Sequence, residues 1–592
     1  MRKQIRKILE NTISQSWKDF NLSKIDISYP KEEKFGDFST NVAMVLVSLS
    51  AKEAGVAKKT PMDIAEKIKK ALDEKINKVD EIERVEVVQP GYINFYLSKK
   101  YFVKLVQKIL NEKDNWGKSN SLEGKLFLAE HTDPNLFKEF HIGHIMTNTI
   151  GESLGRIAGF SGADVKQVTF QGDVGLHVAK TLWGMKELKD EAPEKDSSIW
   201  IKQAFLGKCY AWGEKNYFEE GNDKAKDEII IINKQVYLKE DGEQNENYKL
   251  GKEWSLEYFE KIYEMLGSDF DHYFLESETF KDGERIVKEN IGKVFEESKG
   301  AIIFPGSKYN LHDRVFINSE NLPTYEAKDI GLFYKKWEKY NPDISLTITG
   351  GEQKEYFQVV KKAAGMINRE WDEKTIHIAH GTLRLTSGKM SSRKGKIIRA
   401  KKWIEDTADI IMEKMKDSGN HSSSILPSES GGSFSDDSKK IAIAAIKYSI
   451  LKVMAGKDII YDEEKSISLE GDSGPYIQYT YVRADSVLKK INNYKSKDFA
   501  NIEKRKGEVP NVEKMLLKFP QVILKSLEEY SPHTIANYLY DLSSEFNSFY
   551  AKIRVADELN EDYKNNVALT EAVKTTLKNG LYLLGIETVE KM

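Results

Sequence analysis

Residues 125 to 173 write a strand, a loop, a helix and a second strand, and no other run constrains the fold of this chain as tightly. Leu126 to Ala129 is a short apolar strand, and HTDPN is the loop after it. IMTNTIGESLGRIAGFSG then reads as a helix closed by glycines, and VKQVTFQGD as a second strand. Strand, helix, strand in this order is a βαβ unit and predicts a parallel sheet. ISLTITGG and TIHIAHGTLRL supply further buried strands. At 592 residues the chain exceeds one hydrophobic core and divides into several domains. Residues 1–115 mix helix-like runs with short strands and predict an α+β domain. The α/β sheet domain is expected over 116–400, with a Lys-, Glu- and aromatic-rich helical insertion at about 186–290. A connecting helical region, 401–470, carries a Ser/Gly-rich stretch, 417–438, expected to be a flexible loop. Residues 471–592 read as all-helical.

Composition excludes several functions. With 40% hydrophobic and 31% charged residues the chain is an ordinary globular mixture, and a formal charge of −3 rules out a bulk polycation. The lone Cys209 excludes a disulfide framework and a Cys-based zinc site, so no structural metal is expected. The single cysteine fits a reducing, cytoplasmic setting, and the basic N-terminus has no apolar run long enough for a secretory signal. The most apolar stretch, IAIAAIKYSILKVMAG, is broken by Lys447 and Lys452, and no membrane segment is expected. Ile5, Ile8, Leu9 and Ile13 predict an amphipathic first helix.

The chain has ten histidines, and two of them, His141 and His144, stand three apart around Ile-Gly at the start of the predicted helix. A metal, a phosphate or plain packing are the readings to weigh. A metal wants further ligands, and the H-E-x-x-H arrangement is absent. A helix start beyond the carboxyl end of a parallel strand attracts anions. Gly143 lets a nucleotide approach the backbone, and imidazoles donate hydrogen bonds to phosphate oxygens as their charge grows. A second stretch, GKMSSRKGK, places Lys389, Arg393, Lys394 and Lys396 in one basic glycine-bearing loop. Together the two motifs predict adenylate transfer.

At these residues the chain resembles the class I aminoacyl-tRNA synthetases, whose signatures read HIGH and KMSKS. In finer text it is similar to the arginyl-tRNA synthetases over nearly its whole length. EHTDPNLFKEFHIGH, TYEAKDIG, GTLRLTSGKMSSRKG, GPYIQYTYVRADSVL and the terminal GLYLLGIETVEKM carry that likeness, with GDFSTNVAM and PGYINF in the first domain. The resemblance implies a Rossmann-type catalytic domain between an N-terminal tRNA-binding domain and a C-terminal anticodon-binding domain. It implies ATP with Mg²⁺, L-arginine and tRNA(Arg) as partners, tRNA-dependent activation, and a monomer.

By the same resemblance, His141, His144, Lys138 and Lys389 are expected to be catalytic. Pro134, Gly143, Met390, Ser391 and Lys394 join the two histidines at ATP. Lys138 stands where a lysine is thought to replace the second lysine of KMSKS, which is Ser392 here. A guanidinium requires carboxylates and planar acceptors, so Glu130, Asn135, Tyr325, Asp329 and Gln353 are expected at arginine. Tyr92, Asn94, Tyr476, Gln478, Tyr479, Arg483, Phe549, Tyr550 and Met592 are the residues expected to touch tRNA. Thr132-Asp133 and Glu139 depart from the family's Ser-Ser and Pro.

Overall fold

Apolar periodicity shapes the first element as expected. In this computed structural model the helix Arg2–Ser16 buries Ile5, Leu9 and Ile13 completely, a stripe at i, i+4 and i+8. The structure describes residues 1–17, 20–50, 60–238, 243–386, 398–417, 436–491, 495, 502 and 505–592. Thirteen strands form four sheets among them.

The described residues divide into two compact units. One holds Met1–Trp116, Arg483–Phe519 and Ser544–Thr576; the other holds Gly117–Val482, Pro520–Ser543 and Leu577–Met592. In the first unit, β1 (Phe38–Thr40), β2 (Ile82–Val88) and β3 (Tyr92–Leu97) make an antiparallel sheet in the order β1-β3-β2. Thr60 and Asp63 cap the helix Pro61–Ile76 reciprocally, and its apolar face closes over the sheet.

The second unit is built on a five-stranded parallel sheet of β4 (Leu126–Glu130), β5 (Asp164–Gln171), β6 (His272–Leu275), β10 (Ile344–Gly350) and β11 (Thr375–His380). Their order is β11-β10-β4-β5-β6, and every neighbouring pair is parallel. The chain travels from β4 outward to β6 and later resumes on the other side of β4. The direction therefore switches between β4 and β10, where a crevice opens beyond the strand ends. The helix Ile142–Phe160 follows β4 and is buried along most of its length.

β7 (Glu296–Ser298), β8 (Ala301–Phe304) and β9 (Arg314–Ile317) form a small antiparallel sheet that no sequence pattern had suggested. Phe304 and Phe316 from it, Phe333 and Trp337 from helix Tyr325–Lys339, and Phe357 and Trp371 form one core cluster. β12 (Leu383–Leu385) pairs in parallel with β13 (Ile459–Tyr461), so the region 401–470 contains a strand as well as helices. The insertion consists of helices Ile199–Phe218, Asp223–Leu238 and Glu243–Leu266. The expectation of helix to about 290 needs correction, because β6 returns to the main sheet at His272. Most of the Ser/Gly-rich stretch 417–438 lies outside the described residues. Among those described, no helix is long and apolar enough to cross a membrane.

Candidate active site

Between the end of β4 and the histidine helix the backbone turns tightly. Thr132, Asp133 and Phe137 all have positive φ (82°, 43° and 66°), a conformation that non-glycine residues adopt only when their surroundings enforce it. The enforcing contacts are specific. Asp133 Oδ1 accepts from the Phe170 N–H at 2.7 Å, and its own N–H donates to Thr169 Oγ1 at 3.1 Å. Thr132 Oγ1 meets His131 Nδ1 at 2.8 Å and accepts from Asn148 Nδ2 at 3.2 Å. Phe137 N–H donates to Ser255 Oγ. Asp133 therefore stitches this loop to β5, and Thr132 ties it to the helix Ile142–Phe160. Gly172 leaves room beside it for the Asn135 side chain, whose Oδ1 would lie 2.2 Å from a Cβ at that position.

The loop delivers His141 to the N-cap of helix Ile142–Phe160. Its Nδ1 accepts from the Gly143 N–H at 3.1 Å, and His144 Nδ1 accepts from the His141 N–H at 3.2 Å. An accepting Nδ1 carries no proton, so both neutral rings keep theirs on Nε2. The rings stack with centroids 3.7 Å apart. Burial lowers both below the ordinary histidine value; His141 and Lys138 add to the shift at His144, which is the larger. Lys138 Nζ lies 4.5 Å from the Tyr210 ring centroid, and burial lowers its pKa also. Pro134 is buried in the turn. Two neutral donors, one cation and a helix N-terminus suit phosphate oxygens better than a metal ion. Among the described residues no group of His, Cys, Asp and Glu side chains is arranged to hold a metal.

The carboxyl ends of the strands bring a second set together. Glu130, closing β4, accepts from Lys336 Nζ at 2.6 Å with both side chains buried. Glu276, just past β6, pairs with Lys328 at 2.7 Å, also buried. Asp329 accepts from Tyr356 Oη at 2.5 Å. Burial pushes its pKa up to about 8 against that bond, and the nearby Glu130, Glu276 and Glu326 push the same way. Burial and Glu130 likewise raise Asp133 well above the carboxylate range. Gln171 Oε1, at the end of β5, is buried without a hydrogen-bond donor among the described residues. This strand edge gathers the four carboxyl groups of Glu130, Asp133, Glu276 and Asp329, of which Lys336 and Lys328 pair with two.

Of the residues expected at arginine, Glu130, Asn135 and Asp329 lie at this edge. Tyr325 is exposed one turn before Asp329, its ring 4.8 Å from Lys328 Nζ. Gln353 is exposed on the turn that follows β10. Lys389, Met390, Ser391 and Lys394 lie outside the described residues. Lys336, Lys328, Glu276, Tyr356 and Gln171 were missed by sequence reasoning. A position at or just past a parallel strand's end would have flagged Gln171 and Glu276.

The residues expected at tRNA divide by exposure. Tyr92 is 41% exposed, while Asn94 is buried and accepts from Ser39 Oγ at 2.6 Å, a bond internal to the sheet. Arg483 donates to Asn547 Oδ1 and lies 5.6 Å from the Tyr550 ring centroid; Tyr550 is partly exposed. Phe549 is buried. Gln478 is fully buried and donates to the Glu587 carbonyl at 2.7 Å. Tyr476 packs near Tyr540, Tyr479 is half-buried, and Met592 packs on the Ala408, Ile441 and Val589 cluster.

Three family models match the chain. They are the arginyl tRNA synthetase N terminal domain over residues 2–97, the tRNA synthetases class I (R) catalytic domain over 105–462, and the DALR anticodon binding domain over 477–592. An arginine–tRNA ligase of Halothermothrix orenii is 31% identical over 589 residues, covering 99% of both chains. That of Clostridium acetobutylicum is 30% identical over 582 residues, covering 96% of both. In fold the chain is similar to the Thermus thermophilus arginyl-tRNA synthetase, at TM-score 0.76, 20% identity and full coverage of both chains. With a model of the arginyl class I catalytic domain matching more than half its length, the chain belongs to the arginyl-tRNA synthetase family.

Proposed function

We propose that this chain is an arginine–tRNA ligase working through the residues described above. The carboxylate of L-arginine attacks the α-phosphorus of ATP, forming a P–O bond as the α–β bridge breaks and pyrophosphate leaves. The terminal ribose hydroxyl of tRNA(Arg) then takes the arginyl group from the adenylate, and AMP leaves. His141 and His144 donate from Nε2 to phosphate oxygens in the first step, and Lys138 adds a positive charge beside them. Nothing in the protein need bond covalently to substrate; positioning and charge stabilisation carry the rate. Lys389, Met390, Ser391 and Lys394 are assigned to ATP by resemblance alone. Magnesium comes with ATP, since neutral imidazoles and an ammonium are made for the phosphates and not for the ion.

The acid-rich strand edge is the observation that carries the amino-acid assignment. Glu130, Asn135, Asp329 and Tyr325 are proposed to take the guanidinium, with Gln353 completing the pocket. For tRNA we propose, in the first unit, the exposed Tyr92 and Tyr550 and the half-buried Arg483 and, in the second unit, Tyr476 and Tyr479. Asn94, Gln478, Phe549 and Met592 are withdrawn from direct contact, because their side chains are engaged within the protein. The domain division 1–115, 116–400, 401–470 and 471–592, a monomer, a cytoplasmic setting and tRNA-dependent activation complete the reading. ATP–pyrophosphate exchange with each of the twenty amino acids, with and without total tRNA, tests it. Exchange with arginine alone, and only when tRNA is present, is the expected result. Exchange with another amino acid would overturn the pocket assignment, and exchange with arginine in the absence of tRNA would overturn the dependence.

A further inference from the structure

The segment entering the histidine helix is held from outside as well as from within. Ile398–Ala400 runs antiparallel to it: the Ala400 N–H donates to the Phe140 carbonyl at 2.9 Å, and the Ile142 N–H to the Ile398 carbonyl at 3.1 Å. Arg399 faces His141 across this short ladder. Side chains alternate along extended backbone, so Glu139 and His141 project to one side, and Arg399 opposite His141 shares that side. Arg399 Nε lies 2.6 Å from Glu139 Oε2. The Glu139 carboxylate is confined from behind by Gly207, where a Cβ would stand 3.2 Å from Oε2. Ala400 then begins the helix Ala400–Asp417, whose Trp403 is wholly buried.

We propose that Glu139 and Arg399 are a positioning pair for the adenylation step, locking the strand-like clamp that fixes the N-cap of the histidine helix. This rests on the assignment of His141 and His144 to the ATP phosphates. Two observations converge on it. The ion pair spans the Phe140–Ala400 backbone hydrogen bond and does not join two remote surface groups. Each Nε2 donor points where its ring plane points, and both rings are oriented through Nδ1 bonds to backbone N–H groups at 141 and 143. Sliding the entry segment would therefore re-aim both donors. The Arg399 side chain is 62% exposed, so the pair contributes little to global stability, and its loss leaves a folded protein.

Charge reversal separates this from a passive surface contact. Glu139→Arg and Arg399→Glu, singly and together, are measured by arginine-dependent ATP–pyrophosphate exchange in the full chain with tRNA, alongside His141→Ala. Each single reversal is expected to lower kcat roughly ten- to hundredfold, the range for a small misplacement of reacting groups. The KM for arginine should stay within about twofold, and the double reversal should recover kcat to within about threefold of the parent. Singles that exchange like the parent, or a double no better than the singles, would overturn the pair. If a reversal lowers the melting temperature, Arg399→Lys and Arg399→Gln replace it; lysine must retain more exchange than glutamine, and equal losses overturn the pair. If His141→Ala exchanges normally, the phosphate assignment itself falls and this inference with it. If His141→Ala fails while the reversals are silent, only the pair falls.

Discussion

The two ends of the site solve opposite electrostatic problems with different materials. Where phosphates are proposed to sit, the protein offers two uncharged imidazoles whose tautomers are set by backbone N–H groups of their own helix entry. Where the guanidinium is proposed to sit, it offers carboxylates taken out of water, two of them held by lysines and one by a tyrosine. The first end is local, built from residues within a few positions of one another. The second is assembled across the chain; Glu130 and Lys336 are 206 residues apart. A donor array needs only geometry, whereas a buried anion needs a partner, and that partner comes from wherever the fold can supply it.

The comparison is most sharply tested at Lys336. Lys336→Met strands Glu130 as an uncompensated buried charge and should cost about 3–5 kcal/mol in urea unfolding. A loss under about 1 kcal/mol would mean that Glu130 is not held by this pair. At the other end, His144→Ala should lower kcat for exchange by about 10²–10³, as removal of a preorganised donor does, and leave the KM for arginine nearly unchanged. An unchanged kcat would remove the imidazole from the phosphates. Asp329→Ala should raise the KM for arginine by about ten- to a hundredfold and that for ATP far less. Equal effects on both would move Asp329 out of the arginine pocket.

The smallest effect is a pH dependence whose sign follows from Asp329. Its pKa is raised to about 8 in the folded protein, from about 4 when unfolded. Below pH 8 the free site holds a proton there, and only the carboxylate attracts a guanidinium. The KM for arginine should therefore rise about tenfold for each pH unit below about 8. Folding responds in the opposite sense. The folded state holds the extra proton between about pH 4 and 8, so this group's contribution to stability falls as pH rises through that window. Asp329→Asn should flatten both profiles, and slopes unchanged in that variant would assign them to another group.

What could be read in the sequence was local. The βαβ run, the amphipathic first helix and the His-Ile-Gly-His entry are carried by spacing within a few residues, and the structure has each of them. β6 was hidden because HYFL is four residues long and flanked by helix-forming sequence. β7 to β9 were hidden by similar brevity. Asn94 was expected at tRNA by resemblance alone, and the register that places it opposite Ser39 turns it inward. In the sequence Lys336 is one of several lysines in GLFYKKWEK, and only the packing of its helix makes it the partner of Glu130. Asp133 stood out in the sequence only as a departure from the family's serine; the structure uses it to hold a left-handed turn against β5.

The central claim is that a carboxyl-rich strand edge, with Asp329 protonated when the site is empty, selects the guanidinium. Calorimetric titration of the full chain with L-arginine at pH 7, in two buffers of different ionisation enthalpy, counts the protons exchanged on binding. Release of close to one proton per arginine, lost in Asp329→Asn, is the predicted result. Binding without proton release would contradict the account, because Asp329 would then already be charged in the empty site.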